Sequence, residues 1–433
     1  MSKDAGSGKA WIVAVSMGYG HQRTAYPLRY LSPDGNFINA NDYEGIPLKD
    51  KEIWETSRRF YEFISKFKRL PVIGTFAFYV YDRFQRILSF YPKRDLSKPN
   101  SNVKEMANLI KKGWGKDLVE RLKVKPLPLL STFFIPAFMA EEFDYKHDVY
   151  CVTADADVAR AWAPYHPQRS KVKYCASTLR VAERLRLYGV KGENIILTGY
   201  PLPKENIGSE KEMEIAKHDT AERLVKLDPN GTYRKEYAPM IEKYLGNLPR
   251  EVGRPLTVLF SVGGAGAQKE LGMKIVRSLK NDIQSKKVRI VLGAGIRREV
   301  SDYFEKELDS IKLLGHVDGG IHILKAIDLT DYFRIFNEAL RTTDILWTKP
   351  SELSFYSALG LPIIIAPTIG SQEEFNRQWL LKLGAAMDQY NPVYTSEWLM
   401  DYWSEGWFAE AAMHGFVEGE KLGTYKIEKL LSR

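Results

Sequence analysis

A histidine and two glycines stand together where the first apolar run of the chain ends. Trp11 to Val15 is followed by Gly18, Tyr19, Gly20 and His21. An imidazole can act as a general base near neutral pH or donate a hydrogen bond to a substrate. A lone histidine is more often structural, but the neighbouring glycines favour a functional role. His21 is therefore a candidate base.

Two carboxylates form a second candidate group in Thr153-Ala154-Asp155-Ala156-Asp157. The Asp-Ala-Asp spacing could bind a divalent metal together with a nucleotide. In the competing interpretation, one carboxylate is a base or lines a cleft, and the other caps a helix starting near Val158. We favour the second interpretation, with Asp155 as an alternative base to His21, and we expect no metal or other cofactor.

Glycine-rich loops occur twice, after Trp11 to Val15 and after Leu256 to Ser261. The first lacks the third glycine of a dinucleotide fingerprint, and the second, which contains Gly263, Gly264 and Gly266, lacks the Lys-Ser/Thr ending of a P-loop. A nicotinamide enzyme and an NTPase are thus disfavoured. Such loops can still bring backbone N–H groups close to a diphosphate, although purely structural glycines explain them equally well.

Two later segments place polar side chains directly after apolar runs. Thr348-Lys349-Pro350-Ser351-Glu352-Leu353 predicts a helix start that favours an anion, or simply an ordinary capped helix. Pro367 to Asn376 follows the apolar run Ile363 to Ala366, and its side chains could bind ribose or sugar hydroxyls.

Apolar runs without alternation, separated by helical patterns, predict parallel strands buried on both faces. The two strand–glycine loop–helix units predict an α/β protein with two Rossmann-like domains. The rigid Gly199 to Pro203 linker puts their boundary near residue 200. The further predicted strands are Phe37–Ala40, Leu127–Thr132, Val149–Thr153, Val172–Cys175, Ile195–Thr198, Val288–Leu292, Lys312–Leu314, Ile321–Ile327, Ile345–Thr348 and Ile363–Ala366.

Positive charge is concentrated in one block of the 433-residue chain. The net charge is +9, whereas Lys49 to Lys125 holds 19 Lys/Arg and 9 Asp/Glu. Within it, Leu70 to Pro92 is aromatic but too interrupted by charge to span a membrane. It fits either a lipid headgroup layer or a buried helical hairpin. Two cysteines exclude a disulfide scaffold, and the polar start, Met1 to Lys9, predicts no signal peptide and a cytoplasmic protein.

Taken in order, these motifs resemble the GT-B glycosyltransferases. The resemblance rests on Gly-x-Gly-His, a Thr-Gly-Tyr-Pro linker, Ser261-Val-Gly-Gly-Ala-Gly266, Lys349-Pro-Ser-Glu352 and Gly360-Leu-Pro362. The chain looks most like the branch of monogalactosyldiacylglycerol synthase, processive diacylglycerol glucosyltransferase and the lipid II N-acetylglucosaminyltransferase. The resemblance covers roughly residues 10 to 390.

That resemblance implies two Rossmann-like parallel-sheet domains facing a central cleft. The acceptor would bind residues 1–200, which include the basic aromatic segment 49–125, and the nucleotide-sugar would bind residues 201–395. Residues 396–433 would form a helical tail that packs back on the domains. Family members bind a nucleotide-sugar, usually a UDP-sugar, and invert the anomeric centre without a metal.

Carried over to matching positions, the resemblance gives each motif a role. Gly18, Tyr19 and Gly20 would line the acceptor side, with His21 or Asp155 as base. The implied donor-binding residues are Gly263, Gly264, Gly266, Gln268, Lys349, Ser351, Glu352, Gly370, Ser371, Gln372, Glu373 and Asn376.

This sequence departs from the family pattern in two places. Phe355 stands where the family has a ribose-binding glutamate, so Glu352 is the alternative contact. The family's adjacent Thr-Asp pair is split here, because Ala154 separates Thr153 from Asp155.

The predicted function is metal-independent, inverting transfer of a sugar from a UDP-sugar to a hydroxyl acceptor. The acceptor could be a lipid at an anionic membrane surface contacted by residues 49–125, with the protein peripheral on the inner face of that membrane. The alternatives are a UDP-sugar 2-epimerase or hydrolase on the same fold and a non-catalytic binding protein. A nucleic-acid partner is not expected, since the basic block contains no recognisable nucleic-acid-binding motif.

Overall fold

A computed structural model describes residues 9–56, 87–261, 263, 266, 268–317, 319–368 and 370–432. The chain divides into two compact units. Unit 1 comprises Met1–Pro201, Ile369–Asn376 and Leu422–Arg433, and unit 2 comprises Leu202–Thr368 and Arg377–Lys421. The sequence predicts a boundary near residue 200, and in the structure the first unit's main segment ends at Pro201. Most of the aromatic segment Leu70 to Pro92 lies outside the described residues.

Unit 1 is built on a six-stranded sheet of order β2-β1-β3-β4-β5-β6, with every pairing parallel. Consecutive strand residues pack into different cores: Val13 and Leu129 on one face, Ile12 and Leu130 on the other. Both faces are therefore buried, as the uniformly apolar runs predicted. The strands are β1 Trp11–Ala14, β2 Ile38–Asn39, β3 Leu129–Ser131, β4 Val149–Val152, β5 Lys173–Ala176 and β6 Ile195–Leu197.

Helices connect these strands. The side chains of Asn100 and Thr178 cap two of them by accepting hydrogen bonds from Val103 N and Val181 N. The helices are α1 Gly20–Ala25, α2 Ser101–Lys111, α3 Lys116–Leu122, α4 Phe134–Glu142 and α5 Leu179–Leu187, with 3-10 helices at Tyr26–Leu31, Arg160–Trp162 and Gly192–Asn194.

Unit 2 contains a second parallel sheet, of order β12-β11-β10-β7-β8-β9. Its central strand β7 is buried along its whole length. The strands are β7 Leu256–Ser261, β8 Val288–Gly295, β9 Ile321–Lys325, β10 Ile345–Thr348, β11 Ile363–Ile365 and β12 Ala386–Asp388.

The remaining helices belong to unit 2, apart from the last one, which belongs to unit 1, and the helix Ser371–Leu383, whose residues up to Asn376 are grouped with unit 1. They are α6 Glu214–Leu227, α7 Thr232–Glu236, α8 Ala238–Leu245, α9 Lys269–Ser278, α10 Lys280–Gln284, α11 Arg298–Ser310, α12 Leu329–Leu340, α13 Ser371–Leu383, α14 Thr395–Ser404, α15 Trp407–Glu418 and α16 Gly423–Leu431, with 3-10 helices at Lys204–Asn206, Leu314–His316, Glu352–Leu359 and Pro392–Tyr394.

The α/β class and the two parallel sheets are confirmed, with one strand predicted wrongly and one missed. The apolar stretch Lys312–Leu314 ends helix α11 instead of forming a strand. Lys312 has a φ of 59° and its N–H bonds to Asp309 O, while Leu313 N bonds to Leu308 O. This pattern closes a helix and buries its terminal apolar residue. The missed strand is β12.

The predicted tail, residues 396–433, is divided between the units. Helices α14 and α15 belong to unit 2 and α16 to unit 1. Gly423, at the start of α16, lies so close to unit 1 backbone that an added Cβ would stand 2.2 Å from Tyr200 O. Within the described residues, no helix is long and apolar enough to cross a membrane.

Candidate functional site

The loop after β1 is bound by a side chain that follows the neighbouring strand. Asn41, just beyond β2, accepts a hydrogen bond from Ser16 N at 2.8 Å and donates one to Ser16 O at 3.2 Å. The carboxamide thus replaces a strand partner at the carboxyl edge of the sheet. Gly18 turns the loop with a φ of 102°, a conformation that favours glycine. Tyr19 precedes α1 and Gly20 begins it.

His21 is held by Thr132, which follows the adjacent strand β3. The ring Nδ1 lies 2.9 Å from Thr132 O, and Thr132 Oγ1 donates to His21 O at 2.8 Å. A carbonyl oxygen can only accept, so Nδ1 carries the proton in the neutral ring. Nε2 therefore keeps a lone pair that can take a proton from a substrate.

Burial among aromatic rings decides the charge of His21. The ring centroid lies 4.6 Å from that of Phe133 and 6.2 Å from that of Trp162. This desolvation lowers the pKa of His21 to about 4, and the hydrogen bond to Thr132 O opposes the shift only in part. At neutral pH the imidazole is uncharged and can accept a proton.

Asp155 follows β4 at the same carboxyl edge, and its side chain binds Asn376. Asn376 Nδ2 donates to Asp155 Oδ1 at 2.9 Å, and Asn376 Oδ1 accepts from Ala156 N at 2.7 Å. Asn376 is fully buried. The structure therefore brings together one predicted catalytic residue and one predicted donor-binding residue within unit 1.

Asp157, the other carboxylate of the Asp-Ala-Asp pattern, forms an ion pair with Arg184. Arg184 Nε donates to Oδ1 at 2.9 Å and Nη2 to Oδ2 at 2.7 Å, and both side chains are buried. Asp157 Oδ1 also accepts from Val158 N. The helix near Val158 is the short 3-10 helix Arg160–Trp162, whose N-cap position is Ala159 and which has no side-chain cap. The predicted capping carboxylate instead neutralises a buried arginine.

In unit 2, the second glycine loop contains a tight turn after β7. Gly266 N donates to Gly263 O at 2.8 Å, and Gly266 has a φ of 66°. A Cβ on Gly263 would stand 3.2 Å from Lys349 Cε, so the lysine side chain packs directly on this turn. Gly264 lies outside the described residues. The turn therefore combines close backbone approach with a neighbouring ammonium group.

Gln268 joins this glycine turn to the end of another strand. It precedes helix α9 with a φ of 74°, and its Nε2 donates to Pro367 O, beyond β11, at 3.1 Å. The loop after β7 is thus tied to the loop after β11, and the N-terminus of α9 starts beside both. A helix N-terminus next to a glycine turn favours an anion.

Ser351 and Glu352 open the 3-10 helix that follows β10. Ser351 N donates to Lys349 O at 2.9 Å, and Glu352 is 8% exposed. Phe355, which stands where the resemblance implies a glutamate, is buried with its ring centroid 5.0 Å from that of Trp379. Phe355 therefore contributes to packing.

The other predicted donor-binding residues lie at the start of helix α13. Gly370, Ser371, Gln372 and Glu373 are partly exposed and precede Asn376. They are grouped with unit 1, whereas Gly263, Gly266, Gln268, Lys349, Ser351 and Glu352 are in unit 2. The donor-binding residues inferred from the family resemblance thus form two sets.

Sequence reasoning missed the residues that hold these side chains in place. Asn41, Thr132 and Ser177 each follow a strand of the first sheet, and each bonds a loop that carries a candidate residue. Their common signal is a polar residue directly after a parallel strand, where loops gather at one edge.

Comparisons with known proteins match part of the chain by sequence and most of it by shape. A family described as a domain of unknown function, DUF6938, matches residues 249–387, which include the glycine turn and Lys349. No curated protein matches the chain.

Three solved structures illustrate the likeness in shape. MurG from Acinetobacter baumannii is 11% identical, with 98% of this chain and 99% of that chain covered and a TM-score of 0.48. The spinosyn rhamnosyltransferase SpnG is 12% identical, with 98% and 99% covered and a TM-score of 0.43. The UDP-GlcNAc 2-epimerase from Neisseria meningitidis, bound to UDP-GlcNAc, is 13% identical, with 78% and 84% covered and a TM-score of 0.42.

Proposed function

We propose that this protein transfers a sugar from a nucleotide-sugar to a hydroxyl group of an acceptor, with inversion at the anomeric carbon. One observation carries the proposal. His21 lies at the carboxyl edge of a parallel sheet, its Nδ1–H is fixed on Thr132 O, and Nε2 keeps its lone pair at neutral pH. A neutral ring with Nδ1–H held in place and a lone pair on Nε2 is the form in which a histidine accepts a proton, although a pKa of about 4 makes it a weaker base than an ordinary histidine.

In the proposed step, the acceptor hydroxyl gives its proton to Nε2 of His21 while its oxygen bonds to the anomeric carbon. The bond from that carbon to the diphosphate oxygen breaks, and the diphosphate leaves with the electron pair. The glycine turn at Gly263 and Gly266, the N-terminus of α9 and Lys349 supply N–H dipoles and positive charge for the leaving group. Fixed dipoles of this kind stabilise charge as it develops.

Two finer assignments belong to the same proposal. The donor is a UDP-sugar, as the family resemblance implies, with Gln372 and Glu373 meeting its sugar or ribose. The acceptor is a lipid or lipid-linked hydroxyl at an anionic membrane, reached through the basic residues 49–125 by a cytoplasmic, peripheral protein. Supporting this, residues 87–125 carry 10 Lys/Arg and 4 Asp/Glu.

The test has two stages. Thermal unfolding is first followed with UDP-, GDP- and TDP-sugars, because a ligand that binds only the folded state raises the midpoint by mass action. We expect UDP-sugars to raise it, and stabilisation by none of the three classes would contradict the proposal. The stabilising UDP-sugar is then incubated with an acceptor panel and without acceptor. Sugar transfer supports the proposal, whereas UDP release or sugar epimerisation without acceptor indicates a hydrolase or 2-epimerase.

A further inference from the structure

Both polar atoms of the Asn376 carboxamide form hydrogen bonds with one loop of unit 1. Its Nδ2 donates to Asp155 Oδ1 at 2.9 Å, and its Oδ1 accepts from Ala156 N at 2.7 Å. The Asn376 side chain is fully buried, whereas Asp155 is partly exposed. The bond to Ala156 N is therefore buried, and the bond to Asp155 Oδ1 is partly buried. A charge-assisted bond that is partly shielded from water is stronger than a fully exposed one.

The loop that receives Asn376 is itself fixed by the adjacent strand. Ser177, directly after β5, donates through Oγ to Asp155 O at 2.5 Å, and Thr178 Oγ1 donates to Ala156 O at 2.9 Å. Ser177 N in turn donates to Thr153 Oγ1 at 2.9 Å. The Asp155–Ala156 loop, which we call the socket, is therefore held by Ser177 and Thr178 in addition to Asn376.

Asn376 lies in the first half of helix α13, which begins at Ser371. Gln372 is four residues earlier, so it lies on the same side of the helix as Asn376, one turn nearer the N-terminus. Residues 369–376 belong to unit 1, although the chain before and after them belongs to unit 2. The bond between Asn376 and the socket thus holds the segment that carries Gln372 and Glu373.

We infer that Asp155 is a positioning residue: it anchors the start of helix α13 through Asn376, and His21 alone acts as the base. This inference rests on the proposed function for the roles of Gln372, Glu373 and His21. The anchor itself requires only that residue 155 accept a hydrogen bond from residue 376. An asparagine at position 155 can still do so through its own Oδ1, whereas a general base cannot work without the carboxylate.

Three variants separate these roles. Asp155→Asn keeps an acceptor for Asn376 Nδ2. Asn376→Asp places two carboxylates against each other and removes the donor. The double variant Asp155→Asn/Asn376→Asp restores the pair with its direction reversed, because the carboxylate introduced at position 376 can accept from both the amide introduced at position 155 and Ala156 N. Gln378→Glu, an exposed amide-to-acid change in the same helix, is the control.

Amide hydrogen exchange of residues 374–378 tests the anchor without any substrate, because these amides have helical acceptors, starting with Glu374 N to Gly370 O, whereas the first amides of α13 do not. We expect Asn376→Asp to accelerate this exchange about tenfold or more, the loss of one charge-assisted bond. The double variant should return to within about threefold of wild type, as should Asp155→Asn and Gln378→Glu. Unchanged exchange in Asn376→Asp, or no recovery in the double variant, would overturn the anchor.

Turnover of the UDP-sugar and acceptor identified by the screen tests the assignment of the base. Asp155→Asn should keep a rate within about threefold of wild type, whereas His21→Gln should lose about 10²-fold or more. If Asp155→Asn lost as much as His21→Gln while its exchange stayed normal, Asp155 would be the base and the inference would be wrong. If the wild type turned over no UDP-sugar, the proposed function would fail, and hydrogen exchange would still decide the anchor.

Discussion

His21 and Thr132 are joined by two hydrogen bonds, from ring Nδ1 to Thr132 O at 2.9 Å and from Thr132 Oγ1 to His21 O at 2.8 Å. The ring partner is a neutral carbonyl. A carboxylate there would have favoured the imidazolium and raised the pKa. With a carbonyl, burial is the larger effect, and the pKa of His21 is lowered to about 4. The pairing fixes the tautomer without making the ring a cation.

The protonation of His21 can be measured directly. In protein labelled at histidine, the His21 resonances should titrate with a midpoint of about 4, and at neutral pH Nδ1 should carry the proton. His21→Gln identifies these signals among those of the 7 histidines. A midpoint near the ordinary value of about 6.5, or a proton on Nε2, would contradict the proposed orientation of the base.

The same shift predicts how stability depends on pH. Between about pH 6.5 and 4, the unfolded chain binds a proton at His21 that the folded protein does not, so the free energy of unfolding falls as the pH falls. The slope from this one group is at most about 1.4 kcal/mol per pH unit. Urea unfolding at several pH values should therefore show a steeper acid loss for wild type than for His21→Gln. Equal slopes would count against a His21 that is neutral because its pKa is lowered.

The glycine turn in unit 2 predicts a specific loss of nucleotide affinity. Gly266→Ala puts a side chain at a φ of 66° and within 3.1 Å of Val300 Cγ2, which strains the turn by roughly 1 kcal/mol or more. UDP binding by calorimetry should weaken about tenfold, because the backbone N–H groups leave the positions proposed for them around the diphosphate.

Gly253→Ala is the matched control for this glycine. An added Cβ there meets no atom within 4 Å, so binding should stay close to wild type. If Gly266→Ala bound UDP as tightly as Gly253→Ala does, the turn would have no part in holding a diphosphate.

The sequence predicted the sheets well because buried parallel strands leave a clear apolar pattern. β7 was predicted at its observed bounds, Leu256–Ser261. The strand predicted at Lys312–Leu314 was wrong, because Leu313 is apolar for a different reason. Its N–H bonds to Leu308 O and closes helix α11. Strand β12 was missed because Ala386–Asp388 is short and ends in a charged residue, so its pairing with β11 decides its conformation.

The side chains that fix the candidate residues were harder to predict. Asn376 was assigned to the donor by resemblance, but its bonds run to Asp155 and Ala156, some 220 positions away in sequence. Thr132 and Asn41 act through backbone carbonyls and N–H groups, which nearly every residue possesses. Such partners depend on how loops meet at the sheet edge, which residue types do not specify.

The buried pair of Asp157 and Arg184 predicts a large loss of stability when it is broken. Asp157→Asn removes the negative charge opposite a fully buried guanidinium, and breaking a buried pair costs about 3–5 kcal/mol. Asp144→Asn is the control, because Asp144 is exposed and pairs with Lys146 at the surface, where solvent screens the interaction. Thermal unfolding should show a large fall in the midpoint for Asp157→Asn and almost none for Asp144→Asn.

The wild-type midpoint should be insensitive to EDTA, because the Asp157 carboxylate is occupied by Arg184. A midpoint lowered by EDTA and restored by Mn²⁺, together with a mild effect of Asp157→Asn, would favour the metal-binding interpretation of the Asp-Ala-Asp pattern.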